Sequence, residues 1–376
     1  MIENIPTDLR IDIISKYLNP KSIANLSSTA SIFRTESISI HYWKDSLLKA
    51  GLKPTILDEL EKLKLVTNYK NLYVAFNKYP FNFRVQVQTL RQILFLSGEI
   101  KAINFAIQNN NYYIETPFDE NILHLVCLSG NLEGAKYLVN IVKNKINIHD
   151  LTHLGENILH RAFLSGNPKL IIYIANLTDI HNNKIDPLKI TSFGLTGFHL
   201  ASLSGSTLAM DESLKLKDSK GSTIDPLRKT KSYDTGFHYT ARSGNSKAML
   251  RSLEVKNYCG NTIDPLAKNR NRLNAYHSAC HNGSINAIKT CVNLRFKNGK
   301  KFILDEKSSA NKTPLHMVSE SGSFEATLYL KKLAVKHNLL LENNLKDNMD
   351  NTAYDYAKQS PNPESVLSAL EYKIKR

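Results

Sequence analysis

A gapless internal repeat constrains this chain more than any other feature of its sequence. Six aligned segments each carry a histidine: His124, His160, His199, His238, His277 and His316. Successive histidines are 36, 39, 39, 39 and 39 residues apart, and a glycine follows each of them by six residues. Small or apolar residues then recur at helical spacing in most units. Each unit is therefore predicted to form two short antiparallel helices, joined by a turn where glycine permits positive φ.

A second repeated element lies between the predicted helix pairs. The sequence reads KIDPL at 184–188 and TIDPL at 223–227 and 262–266, again 39 residues apart. Asp followed by Pro is typical of a turn, so we expect long finger loops between the pairs. One pair cannot bury its own apolar face, and the pairs are therefore predicted to stack into an all-α solenoid.

Composition places the chain among ordinary globular proteins. It has 376 residues, of which 42% are hydrophobic and 22% charged, and this excludes a disordered chain or a small disulfide scaffold. Four cysteines without a CxxC pair predict free thiols in a reducing compartment. The start lacks a signal-peptide pattern, the last residues lack a prenylation cysteine, and no apolar run could cross a bilayer, so we expect a soluble protein.

The repeated segments resemble a known family. Residues 313–316 read TPLH, and the other five units keep the histidine with an apolar residue before it. This resembles the ankyrin repeat, whose signature is TPLHxA at a period of about 33 residues. The resemblance implies an ankyrin-repeat domain at 86–376 with about six clear repeats. The longer period here places the surplus before each histidine, which predicts fingers longer than usual, and the second helix around Met210 is short and polar.

Two further segments resemble degenerate terminal units of the same repeat. Residues 90–108 keep the turn at Ser97 and Gly98 without a histidine, and in residues 351–361 Tyr354 stands where the histidine is expected. Atypical terminal units close a stack of repeats against water. These two segments are therefore predicted to be caps.

The first fifty residues do not follow the repeat. IPTDLRIDIISKYLNP predicts a helix, a turn and a second helix, and an amphipathic segment with Trp43 follows. The order of residues resembles the F-box, with Ile5 in place of Leu and Phe33 where Trp is commoner. The resemblance implies a three-helix F-box-like domain at 1–52 that docks on the Skp-type adaptor of an SCF ubiquitin ligase. The residues that would contact the adaptor are Ile5, Pro6, Leu9, Ile13, Ile14, Tyr17, Ile23, Leu26 and Phe33. The alternative is a plain helical cap, and residues 53–85 are predicted to be a helical connector.

Basic residues exceed acidic ones, 49 to 34, and this excess favours acidic partners. Clusters of basic residues recur at nearly the same phase in three successive fingers, so stacking should align them into a stripe that binds an acidic protein substrate. The residues predicted to bind the substrate are Arg228, Lys229, Lys231, Lys268, Arg270, Arg272, Lys300 and Lys301. The alternative is ordinary solvation of long loops. Nucleic acid is disfavoured because aromatic residues are not interleaved with these clusters.

The candidate catalytic and metal-binding patterns are weak. Repeated histidines lie along a line in a solenoid and do not converge on one point, so we expect each of them to bond locally within its turn and first helix. His277, Cys280, His281 and Cys291 match no zinc spacing, and Cys280 takes a small-residue core position. No phosphate loop, nucleophile elbow or HExxH occurs. The sequence predicts no metal, no cofactor and no enzymatic activity.

The combination of modules resembles the F-box and ankyrin effectors that intracellular bacteria deliver into eukaryotic cells. It implies an adaptor that recruits a substrate to the cullin ubiquitin ligase through the Skp-type adaptor, as a monomer in a hetero-complex. An effector of this kind would reach the host cytoplasm without a signal peptide. A non-catalytic ankyrin scaffold or inhibitor, an enzyme hidden in residues 206–235, and nucleic-acid binding through the basic fingers remain alternatives.

Overall fold

A computed structural model describes residues 40–76, 89–107, 114, 116, 118–142, 145–294, 301–339 and 343–372. These residues divide into two compact units, 40–224 and 225–372. The predicted adaptor-binding residues, from Ile5 to Phe33, lie outside the described residues. Within the described residues the regular structure is helical, which confirms the all-α fold class.

The first unit contains three single helices followed by four helix pairs. The single helices are α1 (Ile40–Lys49), α2 (Pro54–Leu63) and α3 (Tyr69–Phe76). The pairs are α4 (Leu90–Ser97) with α5 (Ile100–Ala106), α6 (Ile122–Ser129) with α7 (Leu132–Val142), α8 (Ile158–Ser165) with α9 (Pro168–Ala175), and α10 (Gly197–Ser204) with α11 (Thr207–Lys215).

The second unit contains four more helix pairs. They are α12 (Gly236–Ser243) with α13 (Ser246–Glu254), α14 (Ala275–Asn282) with α15 (Ile285–Asn293), α16 (Pro314–Glu320) with α17 (Phe324–Lys336), and α18 (Ala353–Lys358) with α19 (Pro363–Glu371). The segments predicted to be degenerate units form α4 with α5 and α18 with α19, one pair at each end of the repeats.

The two helices of a pair are buried to different extents. In α6 every residue from Ile122 to Leu128 is buried, because the helix packs on α4 on one side and α8 on the other. In α7 only one stripe is buried, with Ala135, Leu138 and Val142 facing the interior. In the second unit α14 likewise packs between α12 and α16. The first helices therefore form the core of each unit and the second helices cover it.

The helices before the first pair pack against it. Trp43 of α1 is 6% exposed, and its ring centroid lies 5.5 Å from that of Tyr73 on α3. Helix α3 packs in turn on α4. The Glu99 carboxylate accepts hydrogen bonds from the backbone N–H groups of Thr67 at 2.8 Å and Asn68 at 2.9 Å, just before α3 begins. The described part of the predicted connector is thus helical and lies on the repeat domain.

The surplus residues of the long period form a separate small hairpin between the second helix and the finger. Isolated antiparallel bridges join Thr178 to Lys184, Lys217 to Thr223 and Lys256 to Thr262. The Asp-Pro turn follows each hairpin; in the first, the Asp186 carboxylate accepts the backbone N–H of Leu188 at 2.9 Å. The predicted turn at Asp-Pro is confirmed. Residues around Met210, expected to be weak, form the nine-residue helix α11 with Met210 fully buried.

The last pair ends the second unit with a side-chain cap. The Lys331 ammonium of α17 donates to the backbone carbonyls of Ala369 at 3.1 Å and Tyr372 at 2.9 Å, and also to that of Leu370. These carbonyls have no partner within α19, so a positive charge here offsets both the unmade hydrogen bonds and the helix dipole. In this pair Asp355, one residue after Tyr354, takes the position of the repeated histidine.

Gly134 tests how tightly the first two pairs are packed. A Cβ atom at Gly134 would lie 1.9 Å from the carbonyl oxygen of Gly98. Because that neighbour is backbone, Gly134→Ala is expected to lower the free energy of unfolding by about 1–3 kcal/mol, measured by urea denaturation followed by circular dichroism. The control is Glu133→Ala, which breaks only an exposed ion pair with Lys136 and should cost less than about 1 kcal/mol. Equal effects of the two substitutions would contradict the close approach of the helices.

Candidate functional site

The six repeated histidines are structural groups at the start of each first helix. In α8 the Asn157 side chain accepts the backbone N–H of His160 at 2.9 Å, while the Asn157 backbone N–H donates to Nδ1 of His160 at 3.0 Å. This is a capping box in which histidine takes the place of the usual Glu or Gln. The same reciprocal cap occurs at all six histidines. The expectation that they bond locally is confirmed.

The other ring nitrogen reaches the following repeat. Nε2 of His160 lies 2.9 Å from the carbonyl oxygen of Lys189, and Nε2 of His277 lies 2.8 Å from that of Glu306. Because Nδ1 accepts a backbone N–H, the ring is neutral with its proton on Nε2, which donates to the carbonyl. Burial, the main cause, lowers the pKa of His160 to about 4 and that of His124 to about 3. These histidines therefore join neighbouring repeats and do not exchange protons near neutral pH.

The cysteines are free thiols. Cys127, Cys280 and Cys291 are buried, and burial raises the pKa of each, whereas Cys259 is exposed on a hairpin. Buried protonated thiols behave as small apolar side chains. Across the part of the chain that the structure describes, no group of three or more His, Cys, Asp or Glu side chains could hold a metal ion.

The fingers present the same tight turn six times. Each finger is five residues long: 152–156, 191–195, 230–234, 269–273, 308–312 and 347–351. The first backbone N–H donates to the last carbonyl, at 3.0 Å from Thr230 to Asp234 and 2.8 Å from Asn269 to Leu273. The fourth residue has positive φ in every finger. This is a three-residue loop closed by a left-handed residue, a geometry that favours glycine or asparagine at the fourth position.

Neighbouring fingers are joined through their tips. In the second unit the backbone N–H of Arg270 donates to the carbonyl of Ser232 at 2.9 Å, and that of Ser309 donates to Asn271 at 2.9 Å. The Asn269 side chain also donates to the Asp234 carboxylate at 2.9 Å. Side chains at the tips of successive fingers therefore lie side by side at a fixed spacing.

Tyr233 occupies a strained position at one of these tips. The fourth finger residue is glycine at Gly155 and Gly194 in the first unit. In the second unit it is Tyr233 and Arg272, with φ of 66° and 57°, and then Asn311 and Asp350. The left-handed conformation costs a residue with a Cβ about 1–2 kcal/mol. A bulky aromatic residue with this conformation is rare, and the strain is not repaid by burial, because Tyr233 is 48% exposed.

The strained tyrosine carries an arginine on its ring. The Arg270 guanidinium lies 4.9 Å from the centroid of the Tyr233 ring. Lys231 and Arg272 are exposed on the same two tips. Together Lys231, Tyr233, Arg270 and Arg272 form what we call the fingertip patch. Within the described residues no salt bridge neutralises its three cations. Stacking holds the Arg270 side chain in place while its N–H groups stay accessible to an oxyanion.

The seven sequence-predicted basic residues that the structure describes are exposed, but they do not form one row. Lys231, Arg270 and Arg272 lie at fingertips, whereas Arg228 and Lys229 lie at the base of a finger, directly after an Asp-Pro turn. Lys268 also lies at a base and pairs with Glu306 of the next repeat. Lys301 precedes its finger, 308–312, by seven residues, so it is out of phase with the others. Lys300 lies outside the described residues.

Sequence reasoning missed two members of a regular row. Lys229, Lys268, Lys307 and Lys346 are spaced by 39 residues and are all exposed at the bases of successive fingers. It also missed Tyr233, because backbone strain is seen only in the φ angle that the structure gives. The spacing could have found all three, since Lys307 and Lys346 continue the row and Tyr233 is 39 residues after Gly194.

The net positive charge of the chain is concentrated in the fingers of the second unit and the helices between them. Residues 228–312 contain 17 Lys and Arg against 5 Asp and Glu, a net charge of +12 out of +15 for the whole chain. The first unit instead pairs buried charges: Nη2 of Arg161 lies 2.8 Å from carboxylate oxygens of both Glu120 and Glu156. The second unit therefore presents the candidate surface for an acidic partner.

No helix among the described residues combines the length and the apolar character that crossing a membrane requires.

The histidine caps, the left-handed glycines and the linked fingers define an all-α fold of ankyrin-type repeats. Among solved structures the chain is similar to the ankyrin repeat domain of Bcl-3, a member of the IκB protein family, with 17% identity, coverage of 68% of this chain and all of that one, and a TM-score of 0.35. It is also similar to the human ASB11 ankyrin repeat domain, with 16% identity, 69% and 100% coverage and a TM-score of 0.39. No family model matches the sequence, and neither does any curated protein.

The histidine caps predict a pH-dependent stability. The unfolded side chain takes up a proton near pH 6.5 but folded His160 only near pH 4, so stability is fully present above pH 6.5 and falls as the pH drops towards 4. Each such histidine contributes a slope of up to about 1.4 kcal/mol per pH unit in that window. In His160→Gln the free energy of unfolding should depend less steeply on pH, because one fewer proton is taken up on unfolding. Urea denaturation at pH 4.5 to 7 measures this slope.

Glutamine suits this test because the chain uses it at the same position in α4, where the Thr89 backbone N–H donates to Gln92 at 2.9 Å. His160→Gln should also cost about 0.5–1.5 kcal/mol at pH 7, since the hydrogen bond from Nε2 to the Lys189 carbonyl is lost. The control is His181→Gln, at an exposed histidine outside the caps. An unchanged slope for His160→Gln would show that the ring is not buried in its neutral form.

Proposed function

We propose that this chain is a substrate-recruiting adaptor of an SCF-type ubiquitin ligase. In this proposal residues 1–52 dock on the Skp-type adaptor, and the repeat domain holds a protein substrate. The ligase half rests on the resemblance of Ile5, Pro6, Leu9 and the residues after them to the F-box. The substrate half rests on the exposed basic fingers of the second unit, which are the observation that carries the proposal.

The basic fingers fit a protein partner for two reasons. Their backbone is fixed by hydrogen bonds within each turn and between the tips, so their side chains form a surface that does not have to be ordered on binding. Their charge also favours a partner with acidic side chains, and it should speed association at low ionic strength.

The mechanism requires no chemistry from this chain. Binding both the ligase and the substrate places substrate lysines near a ubiquitin-loaded enzyme at a high effective concentration. The predicted absence of a catalytic centre is compatible with this role. By resemblance, the proposed setting is a eukaryotic host cell, where a bacterial effector of this architecture would use the host ligase.

One observation favours a second candidate, a non-catalytic scaffold that uses its repeats alone. Helix α1 packs inward, with Trp43, Ser46 and Leu47 buried, and α3 lies on the first repeat pair. A segment packed in this way could serve as the helical cap of the repeat domain. The two candidates differ in one respect: only the first requires a Skp-type adaptor to bind.

Co-purification with a Skp-type adaptor tests the first proposal directly. We expect the full chain to retain the adaptor and the Pro6→Ala, Leu9→Ala double variant to lose it, because these residues supply the predicted apolar contacts. The matched control is Ile180→Ala, which removes an exposed apolar side chain from a hairpin and should bind like the wild type. Circular dichroism checks that all three proteins are folded. Failure of the wild type to retain the adaptor would favour the scaffold.

A further inference from the structure

We propose that the fingertip patch is a carboxylate-recognition site that selects an acidic segment of the partner protein. The inference deepens the proposed function and rests on its substrate half. It assigns different roles to residues that the charge pattern treats alike. Arg270 binds the carboxylate directly, Tyr233 positions Arg270, and the lysines at the finger bases supply only long-range attraction.

The Arg270 side chain is held in position at its fingertip. Its backbone is fixed by the hydrogen bond to Ser232, and its guanidinium lies over the face of the Tyr233 ring. A stacked guanidinium keeps its in-plane N–H groups free, and this fork matches the two oxygens of a carboxylate. Lys231 and Arg272 are exposed on the same two tips, so more than one carboxylate of an acidic segment can be paired.

Tyr233 has a left-handed backbone conformation that glycine takes in the fingers of the first unit. The fingers of the first unit place Gly155 and Gly194 at the corresponding position, where φ is 71° and 78°. Tyr233 accepts the same strained conformation while its ring stays half exposed. Packing does not explain this choice, because the ring contributes little to the core. Supporting Arg270 does explain it, and the strain then serves to preorganise the site.

The charge and the contacts favour an acidic protein segment over nucleic acid. Among the fingertips of the second unit, all within the described residues, Tyr233 is the only aromatic residue, and one face of its ring is already covered by Arg270. The neighbouring finger carries Arg272, not an aromatic residue, at the equivalent position. A succession of stacking platforms, as single-stranded nucleic acid requires, is therefore not formed by these two tips.

The test measures binding of the full chain to a fluorescent peptide in which glutamate alternates with serine. Arg270→Gln is expected to weaken binding at least about tenfold, because it removes charge-assisted hydrogen bonds. Tyr233→Gly leaves every charge in place and should still weaken binding about threefold or more, through lost preorganisation. The thermal midpoint of Tyr233→Gly should be unchanged or higher, because glycine relieves the strain. A purely structural tyrosine would give the opposite sign.

Controls separate this inference from the proposed function. Lys332→Gln removes an exposed charge from α17 of the same unit and should change binding less than about twofold. If the wild type does not bind the peptide, the acidic partner of the proposed function fails. If it binds and Arg270→Gln weakens binding no more than Lys332→Gln, or Tyr233→Gly is destabilised, only the fingertip site is overturned. Tighter binding of a single-stranded oligouridylate of equal charge would overturn the choice of a protein partner.

Discussion

The neutral, buried histidine at the start of each first helix is the contact on which the repeats depend. Its Nδ1 accepts the backbone N–H at the cap of its own helix, and in five repeats the structure places its Nε2 within 3.2 Å of a carbonyl in the next repeat. One side chain thus fixes both the start of a helix and the position of the following finger. Protonation would remove the acceptor, and burial opposes it.

The same regular scaffold allows its fingers to differ in sequence. Within each unit the turns are closed by backbone hydrogen bonds and neighbouring tips are joined through backbone groups, so these contacts do not depend on the tip side chains. The first unit uses glycine at the left-handed position, whereas the second places Tyr233, Arg272, Asn311 and Asp350 there and bears most of the positive charge. Strain and uncompensated charge both lower stability, and their occurrence together is the reason that we propose this surface as a binding site.

Several features followed from spacing alone, and others did not. The period placed every histidine, every turn glycine and the Asp-Pro turns correctly, since each position has the same local role in each repeat. The sequence alignment of the last unit was one residue out: it matched Tyr354 to the histidine, whereas the 39-residue period places Asp355 there, and Asp355 accepts the cap N–H. Sequence reasoning also grouped Lys301 with the fingertip cations, because a cluster of charges along the sequence does not show how far each residue lies from its finger.

The sequence by itself determined the repeat, the all-α class and the helix caps, because these depend on residues within a few positions of one another. Only the tertiary structure decided which charged side chains form ion pairs or stack on a ring and which remain exposed. It paired Lys268 with Glu306, paired Arg161 with Glu120 and stacked Arg270 on Tyr233, and each of these contacts joins residues about 40 positions apart in the chain. Such pairings follow from the exact stacking of neighbouring repeats, and no local pattern specifies it.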